Sequence, residues 1–259
     1  MRGFRSDSYG DAFADVYDDW YADVTDLETT VEFVAQLATA DGTRAGSLLE
    51  LGVGTGRLAL PLAKRVACVT GIDSSKKMLE RLASADPNGT VTVVLGDMVD
   101  DLPSGQHEVV LAAYNTLFNL TSEQRQQACF DRVAEVLAPG GSFVVEAFVP
   151  QHDAERPRGS QVTVRSMTAD TVVLSASVHD TVAQLAEGQF IEISDTAGVR
   201  LRPWSIRWAD PGQLDAMAAH SGLHVTQRWA DYDRTPFCST SDRHVTVYTS
   251  AGNPGWVRT

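Results

Sequence analysis

The sequence predicts an α/β fold: a mostly parallel sheet of seven strands with an antiparallel edge, helices on both faces, and a small antiparallel β insertion. Three observations carry this. Short apolar runs near 47–51, 67–72, 91–95, 107–113 and 142–148 alternate with helical patterns. The first run stops in an acidic residue and turns through three glycines, LLELGVGTGR from Leu48 to Arg57. From Gln161 to Trp208 the helical period gives way to alternation of period two.

Helical patterns at about 9–21 and 27–39 precede the first strand. In the first, Tyr9, Phe13, Tyr17 and Trp20 fall at spacings of four, four and three, which sets them on one helix face. Glu50 then ends the first strand, and Gly52, Gly54 and Gly56 let the backbone approach a ligand closely. The following helix, about Arg57 to Arg65, offers unpaired N–H groups there. A dinucleotide turn, G-x-G-x-x-G, needs its third glycine where Arg57 stands, so the nicotinamide reading loses ground. The second run, VACVTGID, ends in Asp73, and a carboxylate there can accept both ribose hydroxyls of a nucleoside. Met78 falls where the next helix can bury it, and the third run, VTVVLGD, ends in Gly96 and Asp97.

The fourth run, HEVVLAA, leads into Tyr114, Asn115, Thr116, Leu117, Phe118 and Asn119, a polar and aromatic loop at the end of the sheet where open α/β folds bind ligands. A helix at about 122–137 is closed by Pro139-Gly140-Gly141, which starts the fifth strand. The insertion reads as three or four strands separated at Ala169-Asp170, Glu187-Gly188 and Ala197-Gly198. Alternation sets Arg202, Trp204 and Trp208 on one face of its last strand, where they can wall an acceptor pocket or pack a subunit interface. The core resumes with a helix at about 211–221 and the strands LHVTQRWA and RHVTVYT. The expected organisation is an N-terminal helical lid at 1–40, a nucleoside-binding core at 41–150, the β insertion at 151–208 as acceptor cap or dimer surface, completion of the core at 209–250, and a mobile tail at 251–259.

With 259 residues and 43% hydrophobic content the chain can bury a full core. A net charge of −13 repels nucleic-acid phosphates and anionic membranes, which leaves a small molecule as the expected partner. A homodimer stays open. No signal peptide or apolar run of about 18 residues is visible, so the cytoplasm is the expected location. Cys68, Cys129 and Cys238 are too far apart to indicate a disulfide framework or a thiolate metal site, and no metal is expected.

The pattern E-x-G-x-G-x-G at Glu50–Gly56 resembles motif I of the class I S-adenosylmethionine (SAM) dependent methyltransferases. The succession Asp73, Ser75, Met78, Leu79 is similar to the D-x-S-x-x-M-L pattern of many small members, and L-x-P-G-G at Leu137–Gly141 is frequent among them. The segment YGDAFADVYDDWY resembles the N-terminal lid of bacterial amino-sugar N,N-dimethyltransferases, which are small-molecule tailoring enzymes. The resemblance implies a Rossmann-like methyltransferase sheet and SAM as cofactor. It also implies that Glu50, Gly52, Gly54, Gly56, Asp73, Ser74, Met78 and Tyr114 border the cofactor, and that Asp97 and Met98 meet its adenine. Tyr9, Tyr17 and Trp20 take the lid role of reaching the SAM carboxylate. Arg57, one residue beyond the glycines, is placed either to meet the same carboxylate or to form a surface ion pair. The amino-sugar enzymes commonly carry a histidine near the position of Asn119, and this departure puts the acceptor and the base in doubt.

The leading expectation is methyl transfer to oxygen or nitrogen of a small polar metabolite in bacterial natural-product biosynthesis. Alternatives are an NAD-dependent oxidoreductase on the same fold and a SAM-binding protein that transfers no methyl group. Asn115, Phe118, Asn119, Arg202 and Trp204 are the candidate acceptor contacts. A hydroxyl acceptor usually needs a base, for which His152 and His179 are the candidates, whereas a neutral amine does not.

Overall fold

The computed structural model describes all residues except 23, 25, 40–45, 151–157 and 251–259. The helices α1 (Ser8–Phe13), α2 (Tyr17–Trp20) and α3 (Leu27–Ala38) precede the first strand. The chain then alternates through β1 (Ser47–Leu51), α4 (Ala59–Leu62), β2 (Cys68–Asp73), α5 (Lys76–Ala85), β3 (Val91–Leu95), β4 (His107–Ala112), α6 (Glu123–Val136) and β5 (Leu137–Phe148). Four long strands follow: β6 (Arg158–Met167), β7 (Thr171–Asp180), β8 (Leu185–Ser194) and β9 (Gly198–Arg207). The chain closes on α7 (Pro211–His220), β10 (Leu223–Trp229) and β11 (Arg243–Ser250).

Seven strands form one sheet in the order β10-β11-β5-β4-β1-β2-β3. The first five in sequence pair in parallel, and β11 runs antiparallel to both β5 and β10. Strand order reverses between β1 and β4, which opens a crevice beyond their carboxyl ends. Alternation divides the core between the sheet faces: Leu49, Val110 and Phe143 pack toward α6 and α7, and Leu48, Val109 and Val144 toward α3 and α4. The sheet β6-β7-β8-β9 is wholly antiparallel, so the insertion has four strands. Among the described residues no helix is long and apolar enough to cross a membrane.

Two local expectations are corrected. Glu187-Gly188 is no turn; both residues sit inside β8, and the hairpin turns at 181–184 instead, with Gln184 at φ 55°. Gly188 is needed because the Trp204 ring lies against it: a Cβ there would stand 2.5 Å from ring atoms. The single helix expected over 9–21 breaks after Phe13. The Ala12 carbonyl, which an unbroken helix would use for the Val16 N–H, accepts from the Arg202 guanidinium, and Val16 bonds to Phe13 O instead.

Arg202 is the joint between the N-terminal helices and the second sheet. Its side chain is 1% exposed and ion-paired to Asp15 at 2.6 Å and to Glu192 at 2.8 Å. It also lies under the Trp20 ring, while Arg165 covers the rings of Trp20, Tyr21 and Phe190. Gly10 lets α1 approach the β2–α5 turn, where the Ser75 hydroxyl donates to Asp11 at 2.7 Å. Breaking a buried pair usually costs about 3–5 kcal/mol, but Asp15 and Glu192 can rehydrate, so Arg202→Ala is expected to destabilise by about 2–3 kcal/mol. Urea unfolding measures the loss, and limited proteolysis should show faster cleavage within residues 1–22.

Candidate active site

A cleft of about 460 Å³ opens beyond the carboxyl ends of β1, β2 and β4. Its floor is the glycine turn. Gly52 and Gly54 have φ of 65° and 57°, a region that disfavours side chains, and a Cβ on Gly52 would meet Thr116 Cγ2 at 2.7 Å. Asp73 closes the turn from the neighbouring strand, accepting the N–H groups of Gly54 at 2.9 Å and Ser75 at 2.8 Å. Behind it Glu50 is buried with Oε2 lacking a hydrogen-bond partner. Burial, opposed by Arg57 and reinforced by Asp73, lifts the Glu50 carboxyl to about 8, and burial also raises Asp73.

At the far end Asp97 accepts from Val99 N–H at 2.8 Å and pairs with Arg125 at 2.6 Å, beside Met98 and Leu120. The opposite wall is aromatic. Tyr9, Tyr17 and Tyr21 descend from the N-terminal segment, with the hydroxyls of Tyr9 and Tyr21 3.4 Å apart and Tyr21 edge-on to Tyr114. Burial drives the hydroxyl pKa of Tyr9 and Tyr17 well up and that of Tyr114 to about 12, so all three keep their protons at neutral pH. Phe190, Trp204 and Ile206 of the second sheet complete this wall.

The loop after β4 is held in an uncommon conformation, Tyr114 and Asn115 both having positive φ, 50° and 61°. Glu146 of β5 fixes it. One carboxylate oxygen accepts from Tyr114 N–H at 2.9 Å and from the Tyr232 hydroxyl at 3.2 Å, the Glu146 carbonyl takes Asn115 N–H, and Asn115 Oδ1 takes Phe148 N–H at 2.7 Å.

Of the residues singled out from the sequence, the cleft brings together Tyr9, Tyr17, Gly52, Gly54, Asp73, Ser74, Met78, Asp97, Met98, Tyr114, Asn115, Asn119 and Trp204. Others lie elsewhere. Phe118 is fully buried in the core, Gly56 packs against Leu82, and Trp20 meets Phe13 and Phe190 edge-to-face behind the wall. Arg202 spends its donors on Asp15, Glu192 and Ala12 and does not line the cleft. His179 stands on β7 beside Gly159, outside the cleft lining, and His152 lies outside the described residues. Sequence reading missed Tyr21, Phe190, Glu146 and Tyr232. Glu146 left a signal, a lone carboxylate inside the apolar run FVVEAF; Tyr232 left none, because only the fold brings it to β5.

A cleft of this size at the switch point, with acidic residues at or just past the ends of three successive strands, is the arrangement of a nucleoside-binding α/β fold. The family profile of the methyltransferase domain matches residues 48–141. The solved structure of the CcbJ methyltransferase from Streptomyces caelestis is 40% identical, covers 96% of this chain and 100% of its own, and superposes with a TM-score of 0.84. The cypemycin N-terminal methyltransferase of a Streptomyces species is 24% identical over 90% of this chain and 96% of its own. The dTDP-3-amino-3,4,6-trideoxy-α-D-glucopyranose N,N-dimethyltransferase of Streptomyces venezuelae is 28% identical over 72% and 78%. The chain belongs to the class I SAM-dependent methyltransferases, and SAM is its cofactor. The dinucleotide reading is not supported. The residues present fit this cofactor: the orphaned Glu50 oxygen and the bare glycine turn offer an acceptor and space to a cationic, extended ligand.

Glu50 makes stability pH-dependent with a defined sign. The folded chain holds its proton up to about pH 8 and the unfolded chain only to the ordinary value of 4.5, so stability falls as pH rises across that window. Glu50→Gln should be near wild type at pH 4.5 and more stable by several kcal/mol, up to about 4–5, at pH 8.5, the difference read from urea unfolding without SAM.

Proposed function

We propose that the enzyme transfers the methyl group of SAM to an amine nitrogen of a small polar natural product. The observation that carries this is the make-up of the cleft wall. Among the described lining residues there is no histidine, and burial keeps the hydroxyls of Tyr9, Tyr17 and Tyr114 protonated well above neutral pH. They serve as hydrogen-bond donors and not as bases. A hydroxyl acceptor would need a base in the transition state, whereas a neutral amine attacks with its free lone pair. Two of the relatives, the cypemycin enzyme and the amino-sugar enzyme, are named for nitrogen or N-terminal methylation, which supports the same reading.

SAM supplies a methyl group on an activated carbon, and the protein's own residues align and enclose it. In this proposal Gly52 and Gly54 admit the cofactor backbone, Asp73 accepts its ribose hydroxyls, Asp97 and Met98 hold the adenine, and Glu50, protonated behind the turn before SAM binds, is shifted toward its carboxylate form by the arriving cation. Tyr9 and Tyr17 bind its carboxylate. Tyr114, Asn115, Asn119 and Trp204 orient the acceptor, residues 1–40 act as a lid and the insertion as a cap. Orientation of this kind can contribute roughly 7–11 kcal/mol to a displacement reaction. The net charge of −13 favours a cationic ammonium product.

Asp73→Ala should weaken SAM binding by about 10–100-fold in calorimetry, the loss of charged hydrogen bonds. Incubation with isotope-labelled SAM and matched amine and alcohol acceptor pools should give labelled methyl only on amines by mass spectrometry. Labelled ethers, with amines unmodified, would overturn the nitrogen assignment.

A further inference from the structure

Asp97 stands just past β3, beside Gly96, where a Cβ would meet that of Asp101 at 2.5 Å. One of its two carboxylate oxygens is fully engaged. Oδ1 accepts from the Val99 N–H at 2.8 Å, from the Asp100 N–H at 3.4 Å and from Arg125 Nη2 at 2.6 Å. The first two donors belong to the loop itself and move with it. Arg125 reaches in from α6, whose first turn Ser122 caps by accepting the Arg125 N–H at 3.2 Å. Its Nη1 donates to Asp100 at 2.8 Å, so one guanidinium ties two acids of the β3–β4 loop to the helix. Asp97 Oδ2 takes no hydrogen bond from the described residues, and Asp97, Met98 and Arg125 all border the cleft.

We propose that Arg125 is a positioning residue for the cofactor's base: by holding Asp97 Oδ1 it leaves Oδ2 to the ligand and makes this end of the cleft selective for a purine with an amino group at C6. The inference rests on the assignment of Asp97 to the adenine. An ionised carboxylate only accepts hydrogen bonds, which suits the amino group of adenine and repels the oxygen that hypoxanthine carries at the same position. A carboxylate free to rotate discriminates less, because it can turn away from the wrong base toward water. Adenine is also neutral, so it brings no charge to Asp97 when it displaces water there. Arg125 supplies the counter-charge from the side, where the base does not cover it. A clasp that served only to fasten the loop to α6 could use the exposed Asp100 alone, yet the shorter bond goes to the acid in the cleft wall.

Calorimetry with S-adenosylhomocysteine and its 6-oxo analogue, S-inosylhomocysteine, reads the selectivity as a ratio of dissociation constants. The wild-type chain should prefer the adenosyl ligand by at least about 30-fold. Arg125→Ala should lower that ratio by about 5–10-fold, and Arg125→Lys, a point charge in place of a fork, should fall between the two. Asp97→Asn should reverse the preference, because with its oxygen held by Val99 and Arg125 the amide NH2 is left to donate to the 6-oxo group. Adding Arg125→Ala to Asp97→Asn should weaken the reversal, one donor to that oxygen being lost. Arg125 is 36% exposed and its helix cap is untouched, so the variants should keep the circular dichroism spectrum. An Arg125→Ala variant that binds both ligands more weakly but at the wild-type ratio overturns the inference, since Arg125 then only fastens the loop. A ratio that Asp97→Asn leaves unchanged overturns it too, by removing Asp97 from the base. Which substitution is silent tells the two failures apart.

Discussion

A guanidinium removed from water must be neutralised where it lies, and much of the upper half of this molecule follows from how Arg202 meets that demand. It draws in Asp15 from the N-terminal segment and Glu192 from the adjacent strand, and it takes the Ala12 carbonyl out of its helix. The helix break turns the chain so that Tyr9 and Tyr17 reach the cleft while Trp20 packs behind it against Phe190. One buried charge thus sets the relation between an element at the start of the chain and a sheet almost two hundred residues later. Arg200 on Asp15 and Arg165 over the aromatic rings add to the same contact from more exposed positions, where each is worth less.

The cleft below this joint has a consistent electrostatic design. Its acids stand at strand ends where the backbone supplies donors, as for Asp73 on Gly54 and Ser75, or where donors are missing, as for Glu50. Missing donors and burial favour the protonated acid, and a cation arriving nearby favours the carboxylate. The opposite wall carries the phenols of Tyr9 and Tyr17, which burial keeps protonated, beside Phe190, Trp204 and Ile206. A zwitterionic, positively charged sulfonium ligand suits both walls at once: acceptors on the strand side and donors on the tyrosine side. The loop between them is not free to adapt, because two successive residues at positive φ are pinned by Glu146 and Tyr232, themselves buried.

The core was legible in the sequence because each of its signals is local. Strand ends at Glu50, Asp73 and Asp97 are read from apolar runs that stop in an acid, and the offset of Gly56 separates this turn from a dinucleotide turn without any knowledge of the fold. The insertion was legible as alternation, but its turns were not: Gly188 looks like a turn residue and is in fact the space required by the Trp204 ring across the sheet. Arg202 was misread for a related reason. Its spacing with Trp204 is correct, but neighbours on one strand face need not share a task, and only the fold reveals that Asp15 waits opposite Arg202 while open cleft waits opposite Trp204.

The same alternation gives the insertion two unlike faces from one set of strands. Toward the core it offers Phe190, Arg202 and Trp204, residues of mixed chemistry answering to the N-terminal segment and the cleft. Away from it the strands offer aliphatic side chains, of which Val162, Met167 and Val199 are open to water. The position of Arg202, and with it the tyrosine wall, is set from that core-facing side, where Asp15, Glu192 and the Ala12 carbonyl take its donors and leave Trp204 to the cleft.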